Sequence, residues 1–406
     1  MKDFKSADRI QDLQFFGEFG GVNPSITDSS TFTFLQAQTM SDVFEGKKEG
    51  CYLYARHWNP SNHYLSKALA QMEDTESALV TSSGMAAISS TIMQICQAGD
   101  EIVSSRTIYG GSYALLKNFL PKFGITTKFV NTTKPEEVAN AVSKRTKLIY
   151  CETMSNPMLE ITDIREMSKI AKANNCLLVV DNTFSPLIFT PAHLGADIVV
   201  HSLTKFINGM SDCVAGAVCA SHEFINSLYE VSSGAAMLLG PVLDAHRSAS
   251  ILKNMRTLPI RMQQHARNAL SLSEKLTADG YRIIYPGLAN HPQHALIKEI
   301  SHSKYGSGGL LVIDLKEKEK ADRFMESMQE ANVGYLAVSL GAYKTLFSAP
   351  GHSTSSEIPE EERTMMGLTH GLVRLSIGLD DNIDRTYQKM KHCLESVLAK
   401  NETNEL

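Results

Sequence analysis

The chain of 406 residues has the composition of an ordinary globular protein, with 43% hydrophobic and 20% charged residues. This balance excludes collagen-like, low-complexity and largely disordered chains, and the length predicts about two or three domains. The net charge of −5 comes without a clustered basic segment, which argues against a nucleic-acid-binding surface. The longest apolar stretch, residues 234–243, is far shorter than a membrane-spanning helix requires, so we expect no membrane partner.

The seven cysteines are odd in number, scattered and without a C-x-x-C pair. This pattern predicts neither a disulfide framework nor a zinc site, and we expect no metal. The first 16 residues mix charged side chains and lack the apolar core of a secretory signal. We therefore expect a cytoplasmic protein with reduced thiols.

Residues 1–60 contain glycine-rich and aromatic pieces without a regular alternation of strands and helices, and we expect an extended arm. Residues 61–256 alternate short β-branched runs with helical patterns, which predicts an α/β domain with a mostly parallel sheet wrapped by helices. Its predicted strands are 101–104, 127–130, 148–151, 177–180, 198–201 and 214–219, and its predicted helices include 135–143 and 163–174.

A long helical pattern covers residues 241–279 and leads into a second, smaller α/β domain predicted for residues 257–406. That domain contains predicted strands at 309–315 and 371–377 and predicted helices at 319–331 and 383–399. We expect the polar end, residues 400–406, to fray.

Ligands of parallel sheets bind beyond the carboxyl ends of the strands, here just after Cys151, Val180 and His201. Asp181 stands at one such end, and Lys205 follows another within about four residues. A partly buried lysine has a lowered pKa and acts as an amine nucleophile that can form a Schiff base.

Ser202 and Thr204 flank this lysine, and their hydroxyls suit a phosphate. The carboxylate of Asp181 suits a protonated ring nitrogen, because a nearby negative charge raises the pKa of a pyridinium. Together these groups predict a pyridoxal phosphate (PLP) site. The segment TSSGMAA at residues 81–87 supports it, since its small residues let a helix N-terminus approach a phosphate closely.

Several motifs occur in the order typical of one enzyme family. They are YARHWNP at 54–60, TSSGMAA at 81–87, TIYGGSY at 107–113, ETMSNP at 152–157, DNTF at 181–184, SLTKFINGMSD at 202–212, AVSLG at 337–341 and GLVRLSIGLDD at 371–381. The chain thus resembles the cystathionine and methionine gamma-lyase family of PLP-dependent enzymes over nearly its whole length, from about residue 16 to about residue 398.

This resemblance implies fold type I and PLP as the cofactor. Lys205 would be the Schiff-base lysine and proton carrier, Asp181 would pair with the ring nitrogen, and Tyr109 would stack on the ring and act as a general acid. The groups implied to hold the phosphate are Ser83, Gly84, Met85, Ser202 and Thr204. His201 is expected to be a hydrogen-bonded residue behind the site.

The resemblance also implies that Tyr54 and Arg56 reach the phosphate of a neighbouring subunit, so that the site requires a dimer and two dimers form a homotetramer. Glu152 stands at a strand end, where it supports the cofactor or caps a neighbouring helix. Arg374 would bind the α-carboxylate of the substrate.

Asn156 and Ser339 would assist this arginine, and Gly111 and Val338 would also line the substrate site. Val338 stands where cystathionine gamma-lyases resemble one another in carrying Glu, which favours a small apolar S-methyl group. The blocks 17–34 and 339–358 are similar to plant-type methionine gamma-lyases, whereas Gly111 replaces the Cys typical of bacterial ones.

The resemblance therefore implies α,γ-elimination of L-methionine, a small sulfur-containing amino acid, to methanethiol, 2-oxobutanoate and ammonia. The alternatives within the family are O-acetylhomoserine sulfhydrylase and cystathionine gamma-synthase or gamma-lyase. An alternative of another class is a non-catalytic PLP-binding regulator, which the intact Lys205, Tyr109, Asp181 and Arg374 disfavour.

Overall fold

The computed structural model describes residues 5–45, 47, 48, 50–350, 360–365 and 368–399. Part of the block 339–358 and the end 400–406, for which similarity and fraying were expected, lie outside these residues. None of the helices in the described ranges is long and apolar enough to cross a membrane. The same ranges contain no group of three or more His, Cys, Asp or Glu side chains that could hold a metal ion.

The larger of two sheets has seven strands. They are β1 (Ser77–Thr81), β2 (Glu101–Ser105), β3 (Thr126–Val130), β4 (Thr146–Glu152), β5 (Leu177–Asp181), β6 (Ile198–Ser202) and β7 (Gly216–Ala220). Their order is β1-β7-β6-β5-β4-β2-β3, and β7 is antiparallel to both of its neighbours while the other pairs are parallel. The predicted mostly parallel sheet wrapped by helices is confirmed.

The smaller sheet has five strands in the order β10-β11-β12-β9-β8. They are β8 (Ile283–Ile284), β9 (Leu310–Asp314), β10 (Gly334–Leu336), β11 (Thr345–Ser348) and β12 (Leu372–Ser376). The two strands predicted in this part of the chain are confirmed as β9 and β12, and they pair with each other in antiparallel fashion.

Helices cover the sheets and connect their strands. They are α1 (Ser6–Gln11), α2 (Ala37–Phe44), α3 (Pro60–Glu73), α4 (Gly84–Ile95), α5 (Gly110–Ala114), α6 (Pro135–Ala141), α7 (Ile164–Ala173), α8 (His222–Tyr229), α9 (Ala235–Leu239), α10 (Ala245–Met255), α11 (Leu258–Ala278), α12 (His294–Ile300), α13 (Lys318–Glu330), α14 (Glu360–Met365) and α15 (Ile383–Ala399). The predicted helices 135–143, 163–174, 319–331 and 383–399 are confirmed as α6, α7, α13 and α15.

Two predicted boundaries differ from the structure for local reasons. The strand predicted at 214–219 begins only at Gly216, because the Thr204 side chain bonds both the amide and the carbonyl of Ala215. The helical pattern 241–279 is two helices, α10 and α11, interrupted at residues 256–257. Pro259 lies in the first turn of α11, and proline cannot continue a preceding helix.

Residues 5–45 contain α1, α2 and a single bridge from Thr31 to Tyr54. Several large apolar side chains of this region are highly exposed, among them Phe16, Phe19 and Leu35. Such exposure is typical of a surface that another chain covers. The division into an arm and two domains at residues 60 and 256 stays a prediction.

Two apolar cores stabilise the two sheets. The larger core includes the fully buried Leu65, Ile149 and Val199, and the smaller one packs β9 and β12 against α11, α13 and α15. The strands β9 and β12 and the long helix α11 contribute to both cores, so the two sheets are packed together.

Arg261 of α11 fixes the segment that follows Lys205. Its buried guanidinium donates to the carbonyl oxygens of Phe206 and Ile207 at 2.5 and 2.9 Å. Gly209, with φ of +73°, lies so close that a Cβ there would overlap the same guanidinium. One turn further along α11, His265 bonds the carbonyl of Ile377, just after β12.

We expect Gly209→Ala to lower the free energy of unfolding by about 2–4 kcal/mol, because it adds both left-handed strain and an overlap. Gly280→Ala is the matched control, since Gly280 has φ of +91° but open space around its Cα, and should lose about 1–2 kcal/mol. Urea unfolding of both variants measures the difference. Equal losses would show that the contact with Arg261 contributes nothing.

Candidate active site

A cavity of about 280 Å³ opens where β4, β5 and β6 end. The start of α4 forms one wall, and residues 338–340 with β12 of the smaller sheet form another. Its lining comprises Ser83, Gly84, Met85, Ile88, Tyr109, Glu152, Met154, Asn156, Asp181, Thr183, Phe184, Ser202, Thr204, Lys205, Val214, Val338, Ser339, Leu340 and Arg374. The cavity therefore lies at the carboxyl ends of these strands, between the two sheets.

Lys205 lies in the turn after β6, where its amide donates to the Ser202 carbonyl at 3.2 Å. Its Nζ donates to the Ser339 hydroxyl at 2.9 Å. Burial, and then the charge of Arg374, lower the pKa of this amine to about 8. The lysine is thus a partly neutral nucleophile near physiological pH.

Asp181 lies at the end of β5 beside the cavity. Its carboxylate accepts from the Thr183 amide at 2.9 Å and from the Tyr150 hydroxyl at 3.3 Å. Burial raises the pKa of this carboxyl, while the bonds from Thr183 and the charge of His201 act in the opposite direction. A cation that meets Asp181 in the cavity would stabilise its charged form.

Glu152, at the end of β4, accepts from two backbone amides, Tyr109 at 2.8 Å and Asn156 at 3.1 Å. Tyr109 precedes the first residue of α5, so the carboxylate joins the start of that helix to the loop after β4. Burial, and then the charge of Asp181, raise the pKa of Glu152 well above its ordinary range. Direct contact of Glu152 with a cofactor stays a prediction.

The start of α4 forms a cradle beside the end of β6. Ser83 caps the helix by accepting from the Ala86 amide at 3.0 Å. Gly84 and Met85 lie in the first turn, where helix amides have no partner within the helix. A Cβ on Gly84 would come within 2.7 Å of the Ser202 Cβ, so a glycine at this position lets the Ser202 side chain pack against the start of α4.

The two hydroxyls predicted for the phosphate differ in their bonding. Ser202 faces the cradle, next to Gly84. Thr204 donates its single hydroxyl proton to the Ala215 carbonyl at 3.2 Å and accepts from the Ala215 amide at 3.0 Å. A bond from Thr204 to a phosphate requires that the bond to the Ala215 carbonyl is given up.

Arg374, on β12, is buried and faces the same cavity. It donates from Nη1 to the Asn156 side chain at 2.9 Å and from Nη2 to the Ser339 carbonyl at 3.2 Å. Its Nε has no hydrogen-bond partner among the described residues. Burial lowers the pKa of this guanidinium to about 10, which still leaves it charged at neutral pH. It is suited to bind a carboxylate.

Tyr109 and Val338 line the cavity with partly exposed side chains. Gly111 does not line it. A Cβ at Gly111 would lie 2.5 Å from the Tyr109 ring, so this glycine makes room for the ring. The role predicted for Gly111 in the substrate site stays a prediction.

Tyr54 and Arg56 are not in the lining of this cavity. Arg56 donates to the Met237 carbonyl at 2.9 Å and lies 5.7 Å from the Tyr54 ring centroid. Because both stand apart from the site of their own chain, a role for them needs a second copy, and that role stays a prediction.

Sequence reasoning missed several residues of the site. Tyr150 bonds Asp181, and Thr183 bonds both Asp181 and the Ser202 amide. Thr183 belongs to the quoted motif DNTF, which offered a signal for it. Ile88, Met154, Phe184, Val214 and Leu340 are apolar lining residues that resemble core positions in the sequence.

These features fit PLP. The close approach of Ser202 to Gly84 places a hydroxyl beside the N-terminus of α4, which suits a phosphate, and the unpaired Arg374 Nε is a donor available to an anionic ligand. Lys205 offers the amine and Asp181 the counter-charge for a protonated ring nitrogen.

Comparison with known proteins agrees with this fit. The profile of the Cys/Met metabolism PLP-dependent enzymes matches residues 10–395. A methionine gamma-lyase of Arabidopsis thaliana is 43% identical over 382 residues, which cover 93% of this chain and 87% of that protein. A cystathionine gamma-lyase of Bacillus subtilis is 38% identical over 363 residues, covering 88% of this chain and 92% of that protein.

A solved structure from Campylobacter jejuni, described as an O-acetylhomoserine (thiol)-lyase, superposes with a TM-score of 0.90 at 26% identity. The alignment covers 97% of this chain and 100% of that one, and that structure contains pyridoxyl-lysine monophosphate. The chain therefore shares its fold and its PLP cofactor with this family of enzymes.

We expect cofactor-free protein to react with added PLP at a rate that rises with pH and levels off above about 8, because the neutral amine of Lys205 is the nucleophile. The growth of the visible absorption band measures this rate. Arg374→Met should move the plateau to higher pH, since it removes a neighbouring positive charge. A rate that still rises towards 10.5, the ordinary lysine value, would contradict the assignment.

Proposed function

Since this chain belongs to the Cys/Met metabolism PLP-dependent enzymes, we propose that it eliminates the γ-substituent of L-methionine. The products are methanethiol, 2-oxobutanoate and ammonia, with one water consumed. The choice of methionine as substrate rests on the mouth of the cavity, by which we mean its exposed part at Val338, because this part is uncharged.

Four lining residues carry charge, and each is engaged within the site: Glu152 bonds amides, Asp181 bonds Thr183, Lys205 bonds Ser339 and Arg374 bonds Asn156. Val338, by contrast, is an apolar side chain of which 61% is exposed. Such a mouth suits an S-methyl group, and the described lining residues of this cavity offer no free charged partner to a distal ammonium or carboxylate. The 43% identity with the Arabidopsis methionine gamma-lyase supports the same substrate.

The bound PLP supplies an electron sink that makes the Cα and Cβ protons of the amino acid acidic. Arg374 holds the substrate carboxylate, with Asn156 fixing the direction of its guanidinium. Lys205 Nζ would take the Cα proton, deliver it to the bound cofactor and, neutral again, take a Cβ proton. The Ser339 hydroxyl keeps the amine oriented between these transfers. The Tyr109 hydroxyl donates a proton to the sulfur of the departing methanethiolate.

A second candidate is a lyase or synthase that acts on cystathionine. A further cavity of about 870 Å³ shares Val338 and Ser339 with the site and is lined by Arg247, Lys344 and Asp212. These charged groups could bind the distal amino acid portion of a longer substrate. O-acetylhomoserine with sulfide is the third substrate set to be compared.

The proposal includes a homotetramer, in which Tyr54 and Arg56 of one subunit contact the phosphate site of its neighbour. The exposed apolar side chains of residues 16–35 and the distance of Arg56 from its own site support this assembly. We also propose the cytoplasm as its compartment, because the seven cysteines are all free thiols.

The decisive experiment offers purified enzyme L-methionine, L-cystathionine, or O-acetyl-L-homoserine with sulfide in separate reactions. We expect 2-oxobutanoate and methanethiol in equal amounts from methionine, at a kcat/KM above that for cystathionine. Homocysteine from the acetyl ester with methionine left intact would identify a sulfhydrylase instead. Lys205→Ala is the control that accounts for background decay of the substrates.

We expect Val338→Glu to lower kcat/KM for methionine by about tenfold or more, because it places a carboxylate beside the S-methyl group. The same change should raise the relative rate with cystathionine, whose distal ammonium it attracts. Val338→Gln has a similar size without the charge and should have a smaller effect on both substrates. If the two variants behave alike, the charge of the mouth does not select the substrate.

A further inference from the structure

The strand ends that carry the cofactor residues have a second, buried face. Successive side chains of a strand point to opposite sides of the sheet. Glu152, Asp181 and Ser202 line the cavity. The residues adjacent to them in the sequence, Thr153, Asn182 and His201, therefore point to the other side, and all three are buried.

A single carboxylate, that of Glu73, connects two of these residues directly. Glu73 is the last residue of α3, and its Oε1 lies 2.7 Å from His201 Nε2 and 3.1 Å from Asn182 Nδ2. The Thr153 hydroxyl donates to the Asn182 side-chain oxygen at 3.1 Å. One hydrogen-bonded chain thus joins the reverse sides of three neighbouring strand ends.

The two ionisable members of this hydrogen-bonded chain, Glu73 and His201, are fully buried. The Glu73 side chain is 1% exposed and that of His201 is 0% exposed. A lone carboxylate at such a position is strongly destabilised, so Glu73 depends on its hydrogen bonds with His201 and Asn182. Among the described residues neither Glu73 Oε2 nor His201 Nδ1 has a hydrogen-bond partner, which leaves the contact between Glu73 and His201 as their principal polar interaction.

We propose that Glu73 and His201 are a positioning pair for the cofactor. They fix the strand ends that carry Glu152, Asp181 and Ser202 in the positions from which these side chains meet the cofactor. This inference rests on PLP binding and does not depend on which sulfur amino acid is the substrate.

The electrostatics around the pair agree with this role. The charge of His201 lowers the pKa of the Asp181 carboxyl against the larger effect of burial. Cys219 lies on β7. Burial, and then the negative charge of Glu73, raise the pKa of its thiol. The Glu73 charge also acts on His302, where burial and His193 outweigh it and lower the pKa.

The test measures the affinity of cofactor-free, full-length protein for PLP by absorption titration, without any turnover. Glu73→Gln keeps an acceptor for His201 and Asn182 but removes the charge, and we expect the dissociation constant to rise by about tenfold or more. Asp74→Asn is the matched control, because Asp74 contacts His193 at 2.6 Å on the surface, with 45% of its side chain exposed. We expect this control to stay within about twofold of the parent.

A double variant separates a positioning role from a merely structural one. If Glu73 acts through His201, then Glu73→Gln with His201→Gln should bind PLP about as weakly as Glu73→Gln alone. Additive losses, or a lowered melting temperature of Glu73→Gln with unchanged PLP affinity, would overturn the proposal. Thr153→Val provides the test if Glu73→Gln does not fold, and it should weaken PLP binding in the same direction.

Discussion

A half-buried amine, Lys205, and a buried guanidinium, Arg374, share one pocket, and burial together with their mutual repulsion determines which of them loses its proton. Arg374 keeps its charge even when buried, so Lys205 is the group that loses a proton more easily. The positive charge of these two groups also makes the pocket attractive to anions. A substrate carboxylate at the guanidinium and a phosphate at the start of α4 both offset positive charge that the protein has already placed there.

The two cations come from different sheets, and Ser339 joins them. Its hydroxyl accepts from Lys205 and its carbonyl accepts from Arg374. The backbone of Ser339 has φ of +95°, a strained value for a residue with a side chain, and packing of the two sheets has to maintain it. The reactive geometry is therefore a property of the interface between the sheets and of neither sheet alone.

The sequence was sufficient for features that depend on local pattern. Strands β2 to β6 were predicted to within one or two residues, and the strand-end rule located Asp181 and the turn of Lys205, because buried runs and their ends are visible in the chain. Contacts between distant positions were not visible. Thr204 bonding Ala215, Tyr150 bonding Asp181 and Glu73 bonding His201 depend on how the strands and helices pack, as does the way Gly111 accommodates Tyr109.

Helix α11 contacts the backbone beside both Lys205 and Arg374. Arg261 holds the carbonyls just after Lys205, while His265 and Asn268 hold the carbonyls of Ile377 and Gly378, just after the strand of Arg374. One helix thus holds the backbone beside the amine and the backbone beside the guanidinium, so a substitution that displaces α11 acts on both groups at once.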